Sequence, residues 1–171
     1  NTFYRMPKTT VLENWARQVS DDFVFVIKAP RLITHVQRLK DSDDAVQHLF
    51  DALAVLGPKR GPVLFQLPPF FQKDVDTLAR FVRALPRASR AVFEFRHESW
   101  HADDRDDVMA VLADAGAGWC VADTEEGSPP LVTTAPFGYF RLRRPDYNDA
   151  ALTNWADRIK KASYNEAFVF F

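Results

Sequence analysis

The sequence is short of the residues on which several common chemistries depend. One cysteine, Cys120, stands among 171 residues, which excludes an internal disulfide framework and a thiolate metal cluster. It lies inside the apolar run Trp119-Cys120-Val121-Ala122, so it reads as a buried thiol in a reducing compartment, and the expected location is the cytoplasm. There are only six glycines and no glycine-rich phosphate loop, so no cofactor is expected. No apolar run reaches the length of a membrane span, and no signal peptide or low-complexity tract is visible. Lys and Arg number 22 against 23 Asp and Glu, a balance that removes the global basic field of many nucleic-acid-binding domains but leaves room for a local basic groove.

What is present is apolar material. The chain is 47% hydrophobic and 13% aromatic, enough at this length for one core and one domain over residues 1–171. The stretch Ala91-Val92-Phe93-Glu94-Phe95-Arg96-His97 carries the most information. With period-two alternation, Val92, Glu94 and Arg96 share one face of a strand while Phe93 and Phe95 share the other. Burying a lone carboxylate or guanidinium costs several kcal/mol, so a buried strand of this kind needs a polar interior to receive it. The pattern recurs: the run Phe23–Ile27 ends at Lys28, Val63–Phe65 at Gln66, Trp119–Ala122 at Asp123, and Tyr139-Phe140 at Arg141 and Arg143. Apolar strands that turn polar only at their carboxyl ends are the mark of a parallel sheet with chemistry along one rim.

Amphipathic helices separate these runs. Thr10 and Glu13 have capping-box spacing ahead of Leu12, Trp15, Ala16 and Val19. Further helices are predicted from Ser42 to Gly57, from Asp74 to Pro86, from Asp104 to Gly116 and from Asn148 to Lys161. Alternation of strand and helix implies right-handed crossovers and a parallel sheet covered by helices. Residues Asn1–Arg5 read as the end of a further strand and Ala167–Phe171 as a last one, which gives seven predicted strands. A (β/α)8 barrel has eight and usually about 250 residues. The expected fold is therefore an α/β TIM-type barrel lacking its first strand-helix unit and last helix, with a small open α/β sheet as the alternative. No Met stands at position 1, and an internal piece of a longer protein is expected.

These motifs also carry a resemblance. Asn1-Thr2-Phe3-Tyr4-Arg5 with Pro7, Phe25 with Lys28, Thr34-His35 with Leu39, and Leu56-Gly57-Pro58 are followed by Leu64-Phe65-Gln66-Leu67-Pro68-Pro69. Then come Phe93-Glu94-Phe95-Arg96-His97 with Ser99-Trp100, Ala122-Asp123, and Tyr139-Phe140-Arg141-Leu142. In this order they resemble the motifs of the YecE-like family, domain of unknown function 72, over essentially the whole chain. The resemblance implies a TIM barrel and no established activity. Members commonly carry Glu just before the Asn-Thr-Phe-Tyr motif and an Asn pair after the last aromatic strand; both positions fall outside this chain. Many also have His-Gly where Arg143-Arg144 stands here, so this rim is more cationic.

TIM-barrel chemistry sits at the carboxyl ends of the strands. Lys28, His35, Gln66, Glu94, Arg96, His97, Asp123, Arg141 and Arg143 would gather there. Lys28, Arg96 and Arg141 suit an anion clamp, with Arg143 and Gln66 beside them. Glu94 is the first choice for general base, Asp123 the second, and His35 and His97 are titratable near neutrality. Tyr4, Phe70, Trp100 and Tyr147 would supply flat walls for a ring.

The expected partner is an anionic small molecule, handled by a hydrolase or lyase. A nucleic-acid barrel, its grip extended by Arg38 and Arg144, is the second reading, and a structural or regulatory barrel with an interior ion network the third. A divalent-metal site built from Glu94, Asp123, His35 and His97 is disfavoured by the cations crowding the same rim and by the lack of HExxH spacing. Simpler roles compete at single positions: His97 as a helix cap, Gln66 as a strand end, aromatic residues as packing.

Overall fold

The computed structural model describes residues 2–86, 88–102 and 104–171. Its strands are β1 (Phe25–Lys28), β2 (Arg60–Gln66), β3 (Ala91–Glu94), β4 (Gly118–Asp123), β5 (Phe137–Leu142) and β6 (Glu166–Phe170). All pair parallel, in strict chain order, as one curled half-barrel. Helices α1 (Thr9–Arg17), α2 (Asp43–Leu53), α3 (Val75–Ala84), α4 (Asp106–Asp114) and α5 (Asp149–Lys161) lie in the sequence between or before them. Of the seven predicted strands, six form among the described residues. The amino-terminal one does not: Thr2–Tyr4 make a turn, and Asn1 lies outside the described residues.

Helix starts follow side-chain chemistry where a cap exists. Asp74 accepts from the Thr77 N–H at 3.0 Å, and Asn148 accepts from the Ala151 N–H at 2.9 Å, each satisfying one donor the first turn leaves open. The Thr10–Glu13 capping box is not realised, because α1 begins at Thr9, two residues ahead of the start a Thr10 cap would give, behind the uncapped Lys8. The second helix stops sooner than predicted. After Leu53 the chain tightens into a 3-10 turn over Ala54–Lys59, where Gly57 takes the left-handed φ of 52° that a side chain would resist.

Strand parity divides the core. Ile27, Val63, Phe65, Phe93, Val121, Phe140 and Leu142 face outward and pack with the helix residues Leu12, Leu49, Leu53, Leu78, Phe81, Val108, Leu112 and Trp155. The alternate residues Leu64, Val92, Cys120 and Tyr139, with Val26 and Phe168 against them, form a second cluster lining the concave side. Above this apolar floor, toward the carboxyl ends, the next residues of the same parity are Lys28, Gln66, Glu94, Ala122, Arg141 and Phe170. The curl of the sheet thus brings polar tips of four strands over one greasy floor.

Space around β5 is tight. A Cβ on Gly138 would lie 2.6 Å from a Phe140 ring carbon and 2.9 Å from the Tyr164 ring. Gly138→Ala is expected to cost about 1–3 kcal/mol in urea unfolding, because both rings must shift to admit the methyl.

Candidate functional site

Lys28, the last residue of β1, begins a directed chain of hydrogen bonds. Its Nζ donates to Gln66 Oε1 at 2.7 Å, and Gln66 Nε2 donates to Glu94 Oε1 at 2.8 Å. Glu94, 4% exposed, takes Arg141 on its other oxygen, Oε2, where the Cys120 thiol also points from 3.9 Å. An ionised carboxylate only accepts, so it fixes which way the Gln66 amide faces and leaves the amide oxygen for Lys28. Phe3, from the amino-terminal turn, lies under the ammonium with Nζ 4.0 Å from its ring centre. That turn is tied to the strand end: the Thr2 hydroxyl donates to the Lys28 carbonyl at 2.8 Å, and the Arg31 N–H donates to the Phe3 carbonyl at 2.7 Å.

The electrostatics are asymmetric. Burial pushes the Lys28 ammonium below its ordinary range, the Arg141, Arg96 and Arg143 charges push the same way, and Glu94 opposes them. Burial also pulls on Arg141, but the Glu94 carboxylate overrides it and holds the guanidinium above its usual value. The thiol of Cys120 is raised far, by burial and then by Glu94, so it stays protonated. Burial likewise raises the Tyr139 phenol on the same face.

His35 sits in a π-helical turn, Leu32–Val36, edge-on to Phe3 with ring centres 5.1 Å apart and Nδ1 2.8 Å from the Thr34 hydroxyl. Burial lowers its pKa, and Lys28, Arg31 and Arg96 add to the effect, so it belongs to the same rim. Arg96 and Arg143 are exposed just past the ends of β3 and β5. Tyr4 stands out from the turn, 70% exposed.

Four expected members lie elsewhere. Asp123 is on the opposite strand parity from Ala122, outside the polar layer; its Oδ2 accepts from the Tyr147 hydroxyl at 2.6 Å and pairs with Arg144 Nε at 3.1 Å. Tyr147 is therefore committed to a carboxylate and to the Arg144 charge over its ring, rather than standing as a free wall. Trp100 is fully buried, its indole N–H donating to the Phe71 carbonyl at 2.7 Å, so it is core and not a wall. His97 caps the 3-10 turn Glu98–Trp100, with Nδ1 accepting from the Ser99 N–H at 3.1 Å. Among the described residues no three His, Cys, Asp or Glu side chains gather as a metal-ligand set. The sequence reading missed Phe3 as the partner of Lys28, and it missed Cys120 and Tyr139 as neighbours of Glu94 and Arg141. Parity could have found the last two, since Tyr139 precedes Arg141 by two residues.

A cavity of about 860 Å³ opens at the opposite pole, between the amino ends of β3 and β5 and the ends of α3 and α4. Arg90 stands there, paired with Glu166 and over the Phe137 and Phe168 rings. That hollow is roomy, but the converging hydrogen bonds and displaced ionisations lie at the carboxyl pole, which makes that pole the candidate site.

Two histidines set a pH dependence. His101 donates from Nε2 to the Phe95 carbonyl at 3.0 Å, and burial holds its pKa below 6.5, as it does for His35. A base with a depressed folded pKa takes up protons more readily unfolded. Stability is then fully present above the unfolded value and falls as pH drops through it toward the folded value. Urea midpoints measured from pH 7 to 5 should decline, and His101→Gln, which keeps a donor toward Phe95, should flatten the decline.

Comparison with known sequences fits this geometry. Residues 1–171 match the family described as "Protein of unknown function DUF72". The chain belongs to the DUF72 family. The DUF72 chain is 33% identical to the UPF0759 protein YecE of Escherichia coli K12 over 102 residues, 59% of this chain and 38% of that protein. It is 29% identical to the UPF0759 protein YunF of Bacillus subtilis 168 over 146 residues, 78% of this chain and 52% of that one. It thus spans about half the length, or less, of these curated relatives. Among solved structures, a DUF72 protein of Thermotoga maritima MSB8 superposes with TM-score 0.82 at 25% identity, over 99% of this chain and 74% of that one. One from Enterococcus faecalis V583 gives 0.80 at 17%, over 99% and 79%. The DUF72 chain accordingly has the α/β fold of its family, here as six curled parallel strands.

Proposed function

We propose that the polar layer binds an anionic small molecule, phosphorylated or carboxylated, and that the chain acts on it as a hydrolase or lyase. One observation carries this reading: the mouth holds an unbalanced positive charge. Arg96, Arg141 and Arg143 all bear on Lys28, and Glu94 is the carboxylate that opposes them. A surplus of cations, with Lys28 and Arg141 half-buried and Arg96 and Arg143 exposed at the rim, is stabilised by an incoming anion, which finds directed donors already in place. Arg141 would contribute bidentate geometry and Lys28 a directed N–H donor. In this reading Glu94 moves the proton once the ligand draws Arg141 away from it.

A nucleic-acid ligand is less well supported. Arg144, which would extend the grip, is engaged by Asp123 and Tyr147.

The test is thermal and urea unfolding in phosphate, sulfate or small carboxylates at constant ionic strength. An anion at a hundred times its Kd should stabilise the protein by about 2.7 kcal/mol. Lys28→Met should weaken binding roughly tenfold to a hundredfold, the usual range for a hydrogen bond to a charged group, and Arg96→Ala or Arg143→Ala only a few-fold. The proposal fails if no anion shifts the unfolding curve. A binding constant that collapses steeply with salt for oligonucleotides alone would turn the reading toward nucleic acid.

A further inference from the structure

We propose that Lys28 is an amine nucleophile that condenses with the carbonyl carbon of a small anionic aldehyde or ketone, forming an imine in the mouth of the half-barrel. This rests on the anion-binding reading above and narrows it to lyase chemistry on an anionic carbonyl compound.

The first argument is the company Lys28 keeps. Lys59 and Lys73, the other lysines drawn in from solvent, pair with carboxylates, on Asp21 and on Asp104 and Asp107 respectively. Lys28, although half-buried, has none within ion-pair distance among the described residues; its partners are a neutral amide and a ring face. A lysine serving only as a fixed cation gains from a carboxylate at its side, and here Glu94 is held one amide away. The second argument is direction. Gln66 is locked by Glu94 with its oxygen toward Nζ, so one N–H of the amine is held and the lone pair of the neutral form is turned elsewhere. The third is the surroundings: Arg96, Arg141 and Arg143 bear on Lys28, and together they would anchor a carboxylate or phosphate while the carbonyl meets the nitrogen. Burial and those same charges favour the uncharged amine, the form that attacks.

The step balances without another reagent. The nitrogen lone pair forms a C–N bond as the carbonyl π bond opens onto oxygen. The two amine hydrogens then leave with that oxygen as water, and the C=N bond remains. Once protonated, the imine draws electrons from the adjacent carbon, and a base at the rim, His35 or a Glu94 released from Arg141, would take a proton or assist bond cleavage there.

The experiment incubates the protein with pyruvate, with glyceraldehyde 3-phosphate and with uncharged glyceraldehyde, each followed by sodium borohydride. Hydride adds to the imine carbon and water protonates the nitrogen, leaving a secondary amine that peptide mass mapping locates. At neutral pH Lys28 should carry the main label, several-fold over any surface lysine, because an anchored anion holds the carbonyl against this amine and burial favours its uncharged form. Excess inorganic phosphate should suppress the label, and the uncharged probe should show no preference for Lys28. Whichever anionic probe labels tells whether the anchor is a carboxylate or a phosphate. Lys28→Arg, which keeps the cation, should bind phosphate yet take no label; wild-type mapping decides alone if that variant does not fold. Phosphate binding with labels spread evenly over the lysines overturns the imine and leaves the anion site standing. Lys28 labelling indifferent to phosphate and to probe charge overturns the anionic substrate class, and neither binding nor selective label overturns both.

Discussion

Replacing Glu94 by Ala is expected to lower the unfolding free energy by roughly 3–5 kcal/mol, the usual consequence of stranding one member of a buried ion pair. Three groups lose their acceptor at once. The Arg141 guanidinium, whose side chain is 17% exposed, keeps its charge in a poorly solvated place, and the Gln66 amide and the Cys120 thiol lose the oxygens they point to. Urea unfolding reads the loss directly. The same variant should bind phosphate more tightly than the wild type, because the one opposing charge has gone while Lys28, Arg96, Arg141 and Arg143 remain. A purely structural ion network predicts the stability loss and no change in anion affinity. The joint result therefore separates the two accounts.

The paired replacement Glu94→Leu with Arg141→Met sharpens the comparison. Removing both charges relieves the desolvation penalty, so stability should return to within about 1–2 kcal/mol of wild type, as buried pairs replaced by apolar groups often do. Anion affinity should not return, since the deepest guanidinium is missing. A stable double variant that still binds phosphate as well as the wild type would assign the anion to the exposed rim.

Much of this arrangement was legible because strand parity is a strict rule. Lys28, Gln66, Glu94 and Arg141 each end or nearly end an apolar run, and parallel pairing sets them on one concave face. The same rule, applied more strictly, would have removed Asp123, which follows Trp119 and Val121 on the outward side and so cannot share a face with Ala122. Parity fails past a strand's end. Arg96 shares the alternation of Val92 and Glu94, yet β3 stops at Glu94 and Arg96 turns out to solvent. The amino-terminal turn was illegible for a different reason. Its aromatic residues suit a strand, but Phe3 is used under an ammonium 25 residues away in sequence, and no local pattern announces such a contact. His97 was open to both readings, and the Ser99 N–H in reach of its Nδ1 accounts for it as a cap.

Trp100→Ala should destabilise the fold by about 3–5 kcal/mol, the range for emptying a large aromatic site in a core. The ring is fully buried, 4.4 Å from Phe95 in a stacked contact and edge-on to Phe71 at 5.9 Å. Trp100→Phe isolates the polar part. Much of the packing is retained, but the Phe71 carbonyl loses its indole donor in a dry setting, a loss of about 1–3 kcal/mol. Phe95 follows Glu94 directly and faces the other way, so Trp100 supports the end of β3 from behind the polar layer without reaching into it. Phosphate affinity of folded Trp100→Phe should accordingly stay within a few-fold of wild type while its urea midpoint drops. A wall of the binding site would give the reverse pattern, with stability kept and affinity lost. Calorimetry and unfolding on this one variant therefore decide whether the tryptophan holds the strand end or touches the ligand.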